Sequence, residues 1–196
     1  MIKLIPINFF LLLAFSANAS NHINQGLQNN QKELPIELRT KSSDFDSGRL
    51  NFRGLEIRQG EILIKSNHAE TSRLDFANGE WVFSGNVEVK TETTKLFCNE
   101  ARVRFKNHQL VNAEIKGTPA RFEQILLNEG KSNNGEAIRM FYQIDTGILE
   151  LYNDARFYDG TNEISGEKII YDVVGKNLSV DSGKNGPVTI LIEPID

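Results

Sequence analysis

Cysteine is nearly missing from this 196-residue chain: Cys98 stands alone. No internal disulfide can form, so stability has to come from burial. Histidine is scarce as well, and His22, His68 and His108 lie too far apart to form a ligand cluster with Cys98, so no metal is expected. An excess of positive charge is also missing. Twenty-two Lys and Arg stand against 26 Asp and Glu, a formal net charge of −4, which argues against a nucleic-acid partner. There is no G-x-S-x-G nucleophile elbow. The segment Gly60–Ser66 lacks the second glycine and the following helix of a phosphate loop and alternates like a strand instead. The acid pairs Asp44/Asp46 and Asp154/Asp159 sit among turn residues, where carboxylates are solvated or shape the turn. No catalytic residue, cofactor or metal is expected, and the chain reads as something other than an enzyme. Cys98, in Leu96-Phe97-Cys98, reads as a small hydrophobe in a strand.

The first residues look like an address. Lys3 supplies one positive charge, an apolar run extends from Leu4 to Phe15, and Ala17-Asn18-Ala19 is a small-x-small cleavage pattern. The run is short of the roughly 20 residues needed to span a bilayer. Residues 1–19 are therefore expected to be a signal peptide cleaved after Ala19. Residues 20–33 are polar and read as a flexible start of the mature chain.

From Leu34 to the end the pattern is uniform, and it repeats. A turn follows an apolar anchor in five places: Phe45-Asp46-Ser47-Gly48, Phe76-Ala77-Asn78-Gly79, Phe105-Lys106-Asn107-His108, Ile144-Asp145-Thr146-Gly147 and Val173-Val174-Gly175-Lys176. The anchors are 31, 29, 39 and 29 residues apart. Asn, Asp and Gly tolerate the positive φ that tight hairpin turns need. The flanks alternate with period two, as in Ala101, Val103 and Phe105 against Arg102 and Arg104. A strand half-buried in an antiparallel sheet has this signature. The fold expected is all-β, about five strand–turn–strand units giving roughly 12 to 16 strands of six to ten residues, with at most a short irregular helix in the tail. The long interval is assigned to a loop at Leu127–Gly135. The sheet must fold onto itself to cover one apolar face, and its two end strands are available to extend another sheet.

Three segments then resemble one family. Trp81-Val82-Phe83-Ser84-Gly85-Asn86-Val87-Glu88-Val89 resembles the φ-x-F-x-G-N-V-x-φ strand of the LptA/OstA family. Gly117–Gln124 is similar to its G-x-P-A-x-F-x-Q segment, and Asn162–Tyr171 to its N-x-I-x-G-x-K-I-x-Y segment. They occur in family order within a stretch from about Ile62 to Pro194. One further unit, Pro35–Gly60, precedes that stretch.

The resemblance implies a twisted, open, OstA-like β-jelly roll over residues 34–196. It implies a periplasmic protein that carries lipopolysaccharide between the inner and outer membranes, with the lipid A acyl chains in an apolar groove. It further implies head-to-tail self-association and contacts with an inner-membrane LptC-type and an outer-membrane LptD-type protein. The groove is expected to be lined by Trp81, Phe83, Val87, Phe105, Ile115, Phe122, Tyr142, Leu149, Leu151 and Phe157. The assembly edges are expected at Leu34, Ile36 and Leu38 and at Val188, Ile190 and Ile192. Two other readings compete. One is an LptC-like docking protein that keeps its N-terminal anchor; the other is a structural or sugar-binding β-repeat module, which would expose its aromatics.

Overall fold

The computed structural model describes residues 36–192, apart from 75–77, 91, 93, 107–108, 127–130, 144–145, 173–174, 176 and 184–186. The expectations for the signal segment 1–19, the polar stretch 20–33 and Leu34 fall outside these residues. Twelve strands form one antiparallel sheet. They are β1 (Glu37–Arg39), β2 (Ser42–Asp46), β3 (Arg49–Gln59), β4 (Ile62–Thr71), β5 (Gly79–Lys90) and β6 (Thr94–Lys106). The remainder are β7 (Gln109–Leu126), β8 (Lys131–Gln143), β9 (Ile148–Tyr158), β10 (Asn162–Asp172), β11 (Asn177–Asp181) and β12 (Thr189–Ile192). Strands β3 to β10 pair in sequence order. Each end of that run is flanked by two short strands: β1 and β2 both pair with β3, and β11 and β12 both pair with β10. The tail is strand β12, and no helix occurs among the described residues.

The eight central strands are 10 to 18 residues long, longer than expected, because each runs through a sharp bend and serves two leaves of the sheet. The proof is a ring contact. Phe157 pairs with Ile164 on β10. Tyr171 lies seven residues further along the same strand, about 23 Å away if extended. Yet the rings of Phe157 and Tyr171 are 4.9 Å apart. The sheet therefore doubles back on itself, first leaf over second, and gives the twisted open jelly roll.

The bend crosses neighbouring strands in line. Register shifts fall at Lys65/His68, Ser84/Val87, Phe97/Glu100, Lys116/Ala120, Glu136/Arg139 and Gly166/Lys168. Bulges of this kind kink a strand and increase its twist. Gly54, Gly85-Asn86 and Asn153-Asp154 sit on this line with φ between +50° and +73°, a conformation that favours glycine and asparagine over bulky residues.

On the concave side of the bend runs a row of small side chains. Ser66, Val87, Cys98, Ala120, Ala137, Ala155 and Gly166 come from successive strands β4 to β10. Ala120, Ala137 and Ala155 have no exposed surface. Larger side chains there would hold the leaves apart. Outward from this row the first leaf carries Phe52, Ala69, Phe83, Ala101, Ile115, Met140, Leu151 and Ile169, paired in that order across eight strands. The second leaf answers with Ile57, Ile64, Val89, Leu96, Phe122, Gly135, Phe157 and Ile164, paired in the same way.

The five repeated turn signals fall in the connections at the tip of the first leaf, between β2 and β3, β4 and β5, β6 and β7, β8 and β9, and β10 and β11. The long third interval is not a loop insertion. Lys131–Gly135 is the start of β8, paired with Phe122–Leu126, and only 127–130 connects the strands. The glycine and asparagine there serve packing: a Cβ on Gly135 would come within 2.1 Å of the Phe122 ring, and Asn133 is buried.

Substituting Ala137 by Leu overfills the concave row and is expected to destabilise the protein by about 1–3 kcal/mol in urea unfolding. Ser66 has a buried hydroxyl with no hydrogen-bond partner, so Ser66→Ala should leave stability unchanged or raise it by up to about 1 kcal/mol. Comparable losses at both positions would contradict the assignment of size as the governing property.

Candidate lipid-binding interior

The ten residues expected in a groove are brought together. Trp81, Phe83, Val87, Phe105, Ile115, Tyr142, Leu149, Leu151 and Phe157 belong to one buried cluster, and Phe122 packs against it. Trp81 stacks on Phe52 and on Phe83, with ring centroids 5.8 and 5.9 Å apart. Phe122 meets Phe157 at 6.3 Å. Burial of this kind contributes about 1.5–3 kcal/mol for each large side chain. The interior side chains pack against one another between the leaves.

Alternation in the sequence misses several members of the cluster. Leu55, Ile57, Ile64, Met140, Ile169 and Tyr171 are equally buried. At the bend the inward phase slips, from Phe52 to Leu55, from Ser66 to Ala69, from Cys98 to Ala101 and from Ala137 to Met140. A three-residue step in place of two or four is the signal that could have found them. The buried polar residues Thr94, Gln124 and Asn133 carry no such signal.

Of the expected edges, Leu38 lies in β1 and packs, with Ile36, against the core. Ile190 and Ile192 lie in β12, and Val188 precedes it. All four residues of β12 are exposed, with Ile190 at 59% and Ile192 at 71%. Pro35–Gly60 supplies β1, β2 and β3, so one margin of the sheet comes from this unit.

The outer face is charged. Arg102 faces Glu80, Lys116 faces Glu100, Arg139 faces Glu114, Lys168 faces Glu150, and both Arg121 and Arg156 face Glu136. The arrangement is the reverse of a transmembrane barrel, which turns its apolar band outward to lipid. At its centre Tyr152 lies between Arg139 and Lys168, whose charges sit 5.2 and 4.8 Å from the ring centroid. Its hydroxyl donates to Glu150. Burial pushes the Glu150 carboxyl up, but hydrogen bonds from Lys168 and Tyr152 outweigh this and hold it below its ordinary value of 4.5. The hydrogen bond to Glu150 raises Lys168 above its ordinary 10.5.

Burial, with a smaller contribution from Glu100, pushes the Cys98 thiol up to about 12, where it is no nucleophile. Burial likewise pushes Tyr142 up to about 12.

A sequence model described as "LptA/(LptD N-terminal domain) LPS transport protein" matches residues 63–176. The chain belongs to this family. Among its relatives, the lipopolysaccharide export system protein LptA of Haemophilus influenzae is 29% identical over 141 residues, 70% of this chain and 79% of that protein. LptA of Escherichia coli K12 is 29% identical over 131 residues, 65% of this chain and 70% of that protein. The crystal structure of LptH, the LptA-homologous periplasmic component of the lipopolysaccharide transport device of Pseudomonas aeruginosa, superposes with a TM-score of 0.55. It is 20% identical and covers 83% of this chain and 97% of that one. The fold is thus that of its family, with the first unit, through Gly60, lying ahead of the matched region.

The Glu150–Lys168 pair has a defined pH window. The lowered Glu150 contributes stability above its ordinary value, lost as pH falls through its folded pKa. The raised Lys168 contributes below 10.5, lost as pH rises through its folded pKa. Glu150→Gln should cost about 0.5–1 kcal/mol at neutral pH, read as urea midpoints. The gap to wild type should close in acid below 4.5 and in alkali above 10.5; a gap constant across pH would contradict the pairing.

Proposed function

We propose that this chain is a periplasmic carrier of lipopolysaccharide that shields the lipid A acyl chains between its two leaves on the way from inner to outer membrane. The observation that carries the reading is the polarity of the folded sheet. One face is a mainly apolar interior, the other is laced with ion pairs, and the sheet path does not close among the described residues. Each buried CH₂ is worth about 0.8 kcal/mol, so a chain crossing water needs continuous cover. A sheet that opens along its length supplies that cover without catalysis, and the carrier is not an enzyme. The sugar-binding alternative requires exposed aromatics; Phe45 and Phe97 are exposed, but Trp81, Phe83, Phe105 and Phe157 are buried together in the interior.

On this reading residues 1–19 are the export signal, removed after Ala19, residues 20–33 are a flexible start, and 34–196 form the carrier domain. The margin strands join carriers head to tail and meet an LptC-type protein at one membrane and an LptD-type protein at the other. The exposed apolar strand β12 supports this, because an uncovered strand of Thr-Ile-Leu-Ile is a template for another strand.

The test is photocrosslinking in cells. A crosslinking residue at Phe83 or Leu151, both inward, should capture lipopolysaccharide acyl chains. The same residue at Arg102 or Glu114, outward on neighbouring strands, should not. Capture confined to the outer positions would refute the carrier interior.

A further inference from the structure

The interior of the second leaf is not apolar throughout. One step outside the row that contains Leu96, Phe122 and Gly135 runs a row of polar side chains. Thr94 pairs with Gln124, and Gln124 pairs with Asn133. All three are at most 9% exposed. Asn133 also crosses the gap between the leaves: its Nδ2 donates to the Tyr171 hydroxyl at 3.2 Å, and Tyr171 belongs to the first leaf. Such groups can be buried without a penalty only while each keeps a hydrogen-bond partner. An apolar row would close the same mouth without that requirement. A carrier of bare hydrocarbon has no use for the polar row.

An acylated sugar is different. Its chains are apolar, but each is joined to the sugar through an ester or amide, and that linkage places a carbonyl acceptor where the hydrocarbon begins. With the chains against Phe122, Phe157 and the deeper apolar rows, the linkages fall at the rim. The donors at that rim are the amide groups of Gln124 and Asn133 and the hydroxyl of Thr94, each already engaged within the closed protein.

We propose that Thr94, Gln124 and Asn133 form a subsite for the carbonyl linkages of an acylated glycolipid, in which the Asn133 amide turns from Tyr171 to the lipid as the leaves part. The inference rests on the carrier reading above and deepens it. The row reads the junction between chain and sugar, so it selects lipids that carry such a junction over plain hydrocarbon. Tyr171 holds the Asn133 donor in the closed state and competes with the lipid for it.

The full chain purified from the periplasm can be titrated with fluorescently labelled lipid A and, separately, with pyrene, an apolar fluorophore with no hydrogen-bonding atom. Asn133→Leu should lower the ratio of lipid A affinity to pyrene affinity about tenfold. Gln124→Met should lower it in the same direction and serves if the first variant folds poorly. Tyr171→Phe removes the competing acceptor but keeps the ring, and should raise lipid A affinity about threefold. If Asn133→Leu and Tyr171→Phe shift lipid A binding in the same direction, the pair is only a latch and the subsite is overturned. Variants that bind both probes as wild type does would also overturn it. Wild-type protein that takes up pyrene but no lipid A would sink the carrier reading, and the subsite with it.

Discussion

A strand can pass through a sharp fold only if the side chains on its concave side are small enough for the two leaves to meet. The whole molecule depends on that constraint being met in register by neighbouring strands. Ser66, Val87, Cys98, Ala120, Ala137, Ala155 and Gly166 meet it from β4 to β10. Bulges and positive-φ residues such as Gly85 and Asn86 make the turn itself. Once the crease is set, everything larger faces everything larger. Phe52, Phe83 and Leu151 in one leaf and Phe122 and Phe157 in the other enclose a core that neither leaf could bury alone.

The same crease sorts the chemistry of the two faces. Concave positions are mostly apolar, and convex ones carry alternating acids and bases that pair across strands, from Glu80 and Arg102 to Glu150 and Lys168. Individually such surface pairs contribute little. Their placement matters more, because it keeps the outer face wet and the lipid-compatible face hidden. The only polar exceptions inside the second leaf near its rim, among the described residues, are Thr94, Gln124 and Asn133. They stand where hydrocarbon would give way to sugar.

Much of this was legible in the chain itself. The five turn signals all fall where consecutive strands are joined at one tip, and Ser47, Gly48 and Gly147 take the positive φ that a tight reversal needs. Inward residues such as Trp81, Phe83, Ile115 and Leu151 followed from alternation. The stretch Lys131–Gly135 did not read as strand, since asparagine and glycine are poor strand formers in isolation. Their place in β8 is set by the Phe122 ring over Gly135 and by the Tyr171 hydroxyl beside Asn133. Both are contacts with residues distant in sequence.

By itself the sequence determined the local facts: strands where apolar and polar residues alternate, reversals where Asn, Asp and Gly cluster, and no disulfide from a single Cys98. Those follow from interactions between residues near one another in the chain. Only the tertiary structure decided that each long strand serves two leaves, that Ala137 and Ala155 are there for their size, and that Asn133 reaches Tyr171. A bend is lined up by pairing between strands, and its concave face exists only after the leaves have closed. No single stretch of sequence contains either condition.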